Sequence, residues 1–109
     1  MAIVTTHAER RTRKRLGLPK KSAGTNAERA LRCGVLLEET KSSLRRFLEG
    51  AQKQHPENDA NNVIIYNRSV YIFCDDVLIT VFSLPRKWHS VADELCRRKK
   101  EKLPFAESV

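Results

Sequence analysis

Apolar positions crowd into one stretch, Asn61 to Pro85, and thin out elsewhere. Val63, Ile64, Ile65, Tyr66, Val70, Tyr71, Ile72, Phe73, Val77, Leu78, Ile79, Val81, Phe82 and Leu84 all fall within it. Two polar breaks divide the run, Asn67-Arg68-Ser69 and Asp75-Asp76. β-branched and aromatic runs bounded by Asn, Asp and Ser predict strands joined by tight turns. The expected core is therefore a three-stranded antiparallel meander over 62–67, 69–74 and 77–84. In its third strand, Leu78, Thr80, Phe82 and Leu84 alternate with Ile79 and Val81. Val70, Ile72 and Cys74 alternate with Tyr71 and Phe73 in the second. Neither set is polar, so both sheet faces are expected to be at least partly covered.

The remaining periodicity is helical. Thr6-His7-Ala8-Glu9 has the capping-box spacing, and Gly17 followed by Pro19 supplies a stop, predicting a first helix over 7–16. A second helix is expected over 20–33 and ends at Gly34. Thr25-Asn26-Ala27-Glu28 allows it to begin at Asn26 instead, with 20–24 irregular. In the segment 38–54, Leu44, Phe47, Leu48 and Ala51 recur at i, i+3, i+4 and i+7, a core-facing stripe that Pro56 ends. Trp88, Val91, Ala92 and Leu95 mark a last helix over 87–102. From Cys96 onward it is nearly all charge and is expected to leave the body. The fold class is thus α+β, with N-terminal helices packed on the sheet and a basic C-terminal helix. Residues 1–102 form one expected domain, and 103–109 a disordered tail.

Charge changes this picture from a fold to a class of partner. The net charge of +8 sits at the two ends. Residues 1–21 hold seven Lys/Arg against Glu9, and 86–102 hold seven against Asp93, Glu94 and Glu101. Such blocks on a small domain are the footprint of a polyanion, a nucleic acid or another acidic surface. The partner expected is RNA in preference to DNA, or a nucleoprotein complex. Arg10, Arg13, Lys14, Lys20 and Lys21 at one end and Arg97, Arg98, Lys99 and Lys100 at the other are the expected contacts. No apolar run reaches bilayer length, and no signal-peptide layout appears, so a cytoplasmic protein without a membrane partner is expected. Cys33, Cys74 and Cys96 are too widely spaced for a zinc site or a disulfide framework. No metal or other cofactor is expected. Gly-rich phosphate loops, Walker motifs and nucleophile elbows are absent from the chain.

His7, Arg11 and Arg15 lie at i, i+4 and i+8 and so share one face of the first helix. A histidine that titrates near neutrality, beside guanidinium groups that grip phosphate, suits RNA cleavage or phosphate binding. A solvated basic helix would carry the same residues.

His7-Ala8 followed by Arg11, Arg15 and Gly17-Leu18, together with the late strand Leu78-Ile79-Thr80-Val81, resembles a group of small bacterial and phage proteins. These open with an H-A-x-x-R-x-x-x-R-G-[IL] helix and close with an I-T-V strand. The group is similar to the RelE/ParE-like toxin superfamily, whose members pack N-terminal helices on an antiparallel sheet. The resemblance covers about 5–18 and 61–85. It implies a nucleic-acid-directed protein of a bacterium or mobile element, an RNA-cleaving toxin paired with an acidic antitoxin being one form. Catalytic side chains on strands are part of that pattern; here the strands offer Tyr66, Arg68, Tyr71 and Thr80, with Tyr71 the candidate beside His7, Arg11 and Arg15. Two non-catalytic readings stand beside it: an inhibitor occupying the nucleic-acid path of a host nucleoprotein enzyme, and a structural relic in a phage particle.

Overall fold

The computed structural model describes residues 2–17, 20–54 and 60–102, without the side chains of residues 11, 12, 16, 20–23 and 100–102. Strand β1 (Ile3–Val4) leads into helices α1 (Thr6–Leu16) and α2 (Lys20–Cys33). Strand β2 (Val35–Leu36), a 3-10 turn (Leu37–Glu39) and helix α3 (Ser42–Lys53) follow. Strands β3 (Asn62–Tyr66), β4 (Ser69–Cys74) and β5 (Val77–Ser83) then lead through a second 3-10 turn (Arg86–Trp88) into α4 (His89–Lys102). The expected tail at 103–109 and the loop around His55 and Pro56 lie outside the described residues.

The predicted β3-β4-β5 meander is present and antiparallel, but it is the centre of a larger sheet. Five strands run in the order β1-β5-β4-β3-β2, with β1 parallel to β5. The expected three-stranded antiparallel sheet is therefore corrected to a five-stranded mixed one within the α+β class. Both added strands are two residues long, too short for a period-2 pattern to register.

Helices cover both faces. Val63, Ile65, Val70, Ile72 and Leu84 meet Leu44, Leu48 and Ala51 of α3 and Ala92 of α4. Ile64, Tyr71, Phe73, Leu78 and Val81 meet Ala8 of α1 and Ala27 and Ala30 of α2. The first face is filled by large aliphatic side chains. Small alanines on the second let two helices approach the sheet closely. Each fully buried Leu, Ile or Val contributes roughly 1.5–3 kcal/mol.

Leu78 breaks the alternation expected of β5. It sides with Val81, while Thr80 pairs with Ile72 on the other face. The register slips between Ile72 and Phe73, which oppose Thr80 and Leu78, so Ile79 is an extra bulged residue. A one-residue insertion reverses every later side chain, and the sequence period carries no mark of it.

The hairpin turns fall where the polar breaks predict. Asn67 and Arg68 adopt φ of 50° and 61°, the left-handed pair that matches strand twist, and Asp75 has φ of 55°. Arg68 is held there by Asp93 of α4, with Nη2 2.6 Å from Oδ2, and its carbonyl accepts from the Leu84 amide. Gly34, after α2, is required by close approach: a Cβ would collide with Ile64 and the Ala30 carbonyl.

α4 does not depart at Cys96 as its charge suggested. Cys96 is half-buried, and Lys99 one turn on donates to the Gly34 carbonyl at 2.6 Å and to Glu39 at 2.8 Å. Long cationic stems can lie on apolar surface while their heads find oxygen, so a charged run need not be a projecting one. No helix among the described residues is long and apolar enough to cross a membrane.

Candidate nucleic-acid interface

α1 is fixed to β5 by polar contacts as much as by packing. Its cap is Thr5, one residue before the expected Thr6. Thr5 Oγ1 accepts from the Ala8 amide at 3.1 Å and donates to the Leu78 carbonyl at 3.1 Å. At the other end Gly17, with φ of 67°, returns its amide to the Arg13 carbonyl. Ala8 faces the sheet with no exposed surface. That orientation turns His7, Arg10, Arg13 and Lys14 to solvent.

Those four residues and Arg15 line an open cleft of about 620 Å³. No carboxylate is among the described residues that line it. Arg10, Arg13 and Lys14 make no ion pair among the described residues. Arg10 and Lys14 are four apart, so they repel by roughly 0.2–0.5 kcal/mol in the free protein. The last-turn cations gain a similar amount from the helix dipole. His7 has the spacing of a residue one turn before Arg10 and shares its cleft. The side chain of Arg11, the predicted partner of His7, lies outside the described residues, as do those of Lys20, Lys21 and Lys100.

Arg15 turns away from this row. β1 covers β5 only at Val77 and Leu78, and Arg15 Nη1 donates to the Val81 carbonyl on the uncovered remainder, at 3.3 Å. It thereby also reaches a second cleft, of about 670 Å³, on the α3 side of that edge. Thr80 lines this second cleft. Its Oγ1 is sealed from solvent and has no hydrogen-bond partner among the described residues. Such an orphan costs about 1–3 kcal/mol. Gly50 of α3 lines the same cleft, and a Cβ added there would meet nothing within 4 Å. Its penalty of roughly 1 kcal/mol relative to alanine therefore has no steric cause.

Tyr71 does not join His7 and Arg15. It is 1% exposed beneath α1 and α2, stacked on Phe73 and edge-on to Tyr66. Burial, with a smaller contribution from Tyr66, pushes its phenol up to about 12. A neutral, enclosed phenol belongs to the core of that face.

The C-terminal block is electrostatically different. Arg97 and Arg98 both pair with Glu94 at 3.1 Å, and Lys99 is taken by Glu39. Each exposed pair is worth under about 1 kcal/mol. Two carboxylates, Glu94 and Glu39, nevertheless partly neutralise three of the block's cations. Burial is the main cause of the raised Cys96 thiol nearby, and no three His, Cys, Asp or Glu side chains gather as metal ligands among the described residues.

Arg46, Phe47 and Phe82, which line the second cleft with Arg15, carry no local motif. The one signal in the sequence is that Arg46 and Gly50, four apart, flank Phe47 on the polar side of the α3 stripe. No protein-family model, curated protein or solved structure matches the chain.

Proposed function

We propose that this protein binds single-stranded or locally open nucleic acid, RNA foremost, through the outer face of α1. One observation carries the reading. Five basic or histidine side chains line one cleft, and none of its described lining residues is acidic. A phosphate backbone laid there would satisfy Arg10, Arg13 and Lys14 and remove their mutual repulsion. The resemblance of the His7-to-Leu18 segment to RelE/ParE-like proteins supports the same class of target.

A second reading, RNA cleavage, draws on His7 sharing that cleft with Arg10 and Lys14. A histidine beside cations can move the proton of a 2′-hydroxyl or of a leaving oxygen while the cations hold the phosphate. Incubating the purified protein with RNA, alone and with ribosomes, tests both readings. Binding should weaken steeply between low and physiological salt. Under the cleavage reading, His7→Ala lowers fragment yield by about 10²–10⁴-fold and leaves binding nearly unchanged. Salt-independent binding would count against the α1 reading. Binding without fragments would leave a non-catalytic protein that occupies a nucleic-acid path.

A further inference from the structure

We infer that the cleft between α1 and α3, along the part of β5 that β1 leaves uncovered, is a nucleotide pocket. It would take one unpaired nucleotide of a single strand, with phosphate between Arg15 and Arg46 and base against Phe47 and Phe82. The inference deepens the reading of α1 as a nucleic-acid surface and rests on it.

Four features converge. Arg15 lines both this cleft and the basic cleft on α1, so a strand can pass from one to the other without leaving cationic surface. Arg46 comes from the opposite helical layer and makes no ion pair among the described residues. Two guanidinium groups from separate layers can hold one phosphate from two sides. The wall also presents aromatic rings: Phe47 and Phe82 are half-buried, with centroids 6.2 Å apart in an edge-on arrangement, and Trp88 backs Phe47 at 4.5 Å. Rings braced in this way can receive a base without rearranging, and stacking is open to every base. Finally, two residues are poorly explained by folding alone. Gly50 clears space on the α3 wall, and Thr80 carries a buried hydroxyl without a partner among the described residues. That hydroxyl is sealed in the free protein, so a phosphate oxygen or an ordered water would reach it only where the cleft wall opens on binding.

A duplex presents no unstacked base, so the pocket distinguishes single strands. The basic face of α1, which needs only phosphates, does not. The probe is a short labelled oligouridylate and its duplex with the complementary strand, titrated by fluorescence anisotropy against wild type, Arg46→Ala, Gly50→Leu and Thr80→Val. Melting curves accompany each titration. Arg46→Ala is expected to weaken single-strand binding about tenfold and to reduce the salt slope by about 0.7. Gly50→Leu fills the space with a better helix former. It should weaken single-strand binding by a similar factor, spare duplex binding and raise the melting temperature. Thr80→Val should raise the melting temperature by several degrees and weaken binding a few-fold, a combination that a purely structural residue would not give.

Wild-type single-strand affinity in both Arg46→Ala and Gly50→Leu would overturn the pocket. If removal of the α1 charges still abolished binding, the α1 reading would survive that result. The reverse pattern, with the pocket variants impaired and the α1 variants normal, would support the pocket and remove the α1 face from the path. Equal losses of single-strand and duplex binding in Gly50→Leu would also overturn it, because no base would then be entering.

Discussion

In α1, Arg10, Arg13 and Lys14 stand in solvent with no ion pair among the described residues. In α4, Arg97 and Arg98 share Glu94, and Lys99 lies between Glu39 and the Gly34 carbonyl. The two helices contribute similar numbers of cations to the net charge. Their fields differ because a carboxylate within 4 Å weakens a cation's field locally, even where one carboxylate serves two cations, whatever the chain total. A ligand phosphate approaching α4 must compete with Glu94 and Glu39, and at α1 it meets repulsion that it relieves. The attachment of the helices differs too. α1 rests on Ala8 and the Thr5 hydrogen bonds, whereas α4 is bound by Ala92, Leu95, Cys96 and the Arg68–Asp93 pair. One helix is built to display charge and the other to hold the second face of the sheet.

The seating of α1 is most vulnerable at Ala8. Ala8→Asp places a carboxylate where no surface is exposed, against β5, at a cost of several kcal/mol out of a total of roughly 5–15 kcal/mol. The expected outcome is loss of cooperative melting, or a fold retaining the α3–α4 face that no longer binds RNA. A wild-type melting curve would show that α1 is not seated on the sheet. Alkaline pH reaches the same face more gently. Tyr71 has its folded phenol raised from 10.0 to about 12, so its contribution is complete below pH 10 and is lost as pH rises toward 12. The loss amounts to up to about 3 kcal/mol. Chemical denaturation across that range should show it in wild type and not in Tyr71→Phe.

Two smaller changes sharpen the contrast in charge. Glu94→Gln releases Arg97 and Arg98 together, so RNA affinity should rise a few-fold at low salt and the gain should vanish at high salt. The same substitution would be neutral if those arginines were already engaging RNA independently of Glu94. Smallest of all is the Arg68–Asp93 pair. Its hydrogen bond to Arg68 holds the Asp93 carboxyl below 3.8. Stability from this exposed pair is present above that value and fades as pH falls through the lowered one. Arg68→Ala should therefore flatten the acid limb slightly, visible in melting temperatures measured below pH 4.

Much of this arrangement was legible in the sequence where the pattern was long. The three central strands, both hairpin turns, the Leu44–Phe47–Leu48–Ala51 stripe and the Gly17 stop all follow from period and turn chemistry. What escaped has physical reasons. β1 and β2 are two residues each and exist because a neighbouring strand offers them hydrogen bonds. The Ile79 bulge reverses Leu78 without altering composition. Charge was legible as a count, but its pairing was not: Glu94 reaches Arg97 and Arg98 at ordinary helical spacing, whereas Glu39 lies sixty residues from Lys99. Among the candidate site residues, helical spacing grouped His7 with Arg11 and Arg15, whereas His7 shares its cleft with Arg10, Arg13, Lys14 and Arg15. The burial of Tyr71 depended on which face α1 and α2 would cover.

The most direct measurement is the salt dependence of single-stranded RNA binding in two variants, Arg10→Ala/Arg13→Ala/Lys14→Ala on α1 and Arg97→Ala/Arg98→Ala on α4. With α1 as the contact surface, the triple variant loses about two units of slope, roughly 0.7 per phosphate released, and most of its affinity at physiological salt. The α4 variant then keeps the wild-type slope and an affinity within about threefold of wild type. A wild-type slope in the α1 variant, with the loss falling on the α4 variant instead, would contradict the assignment of the interface to α1.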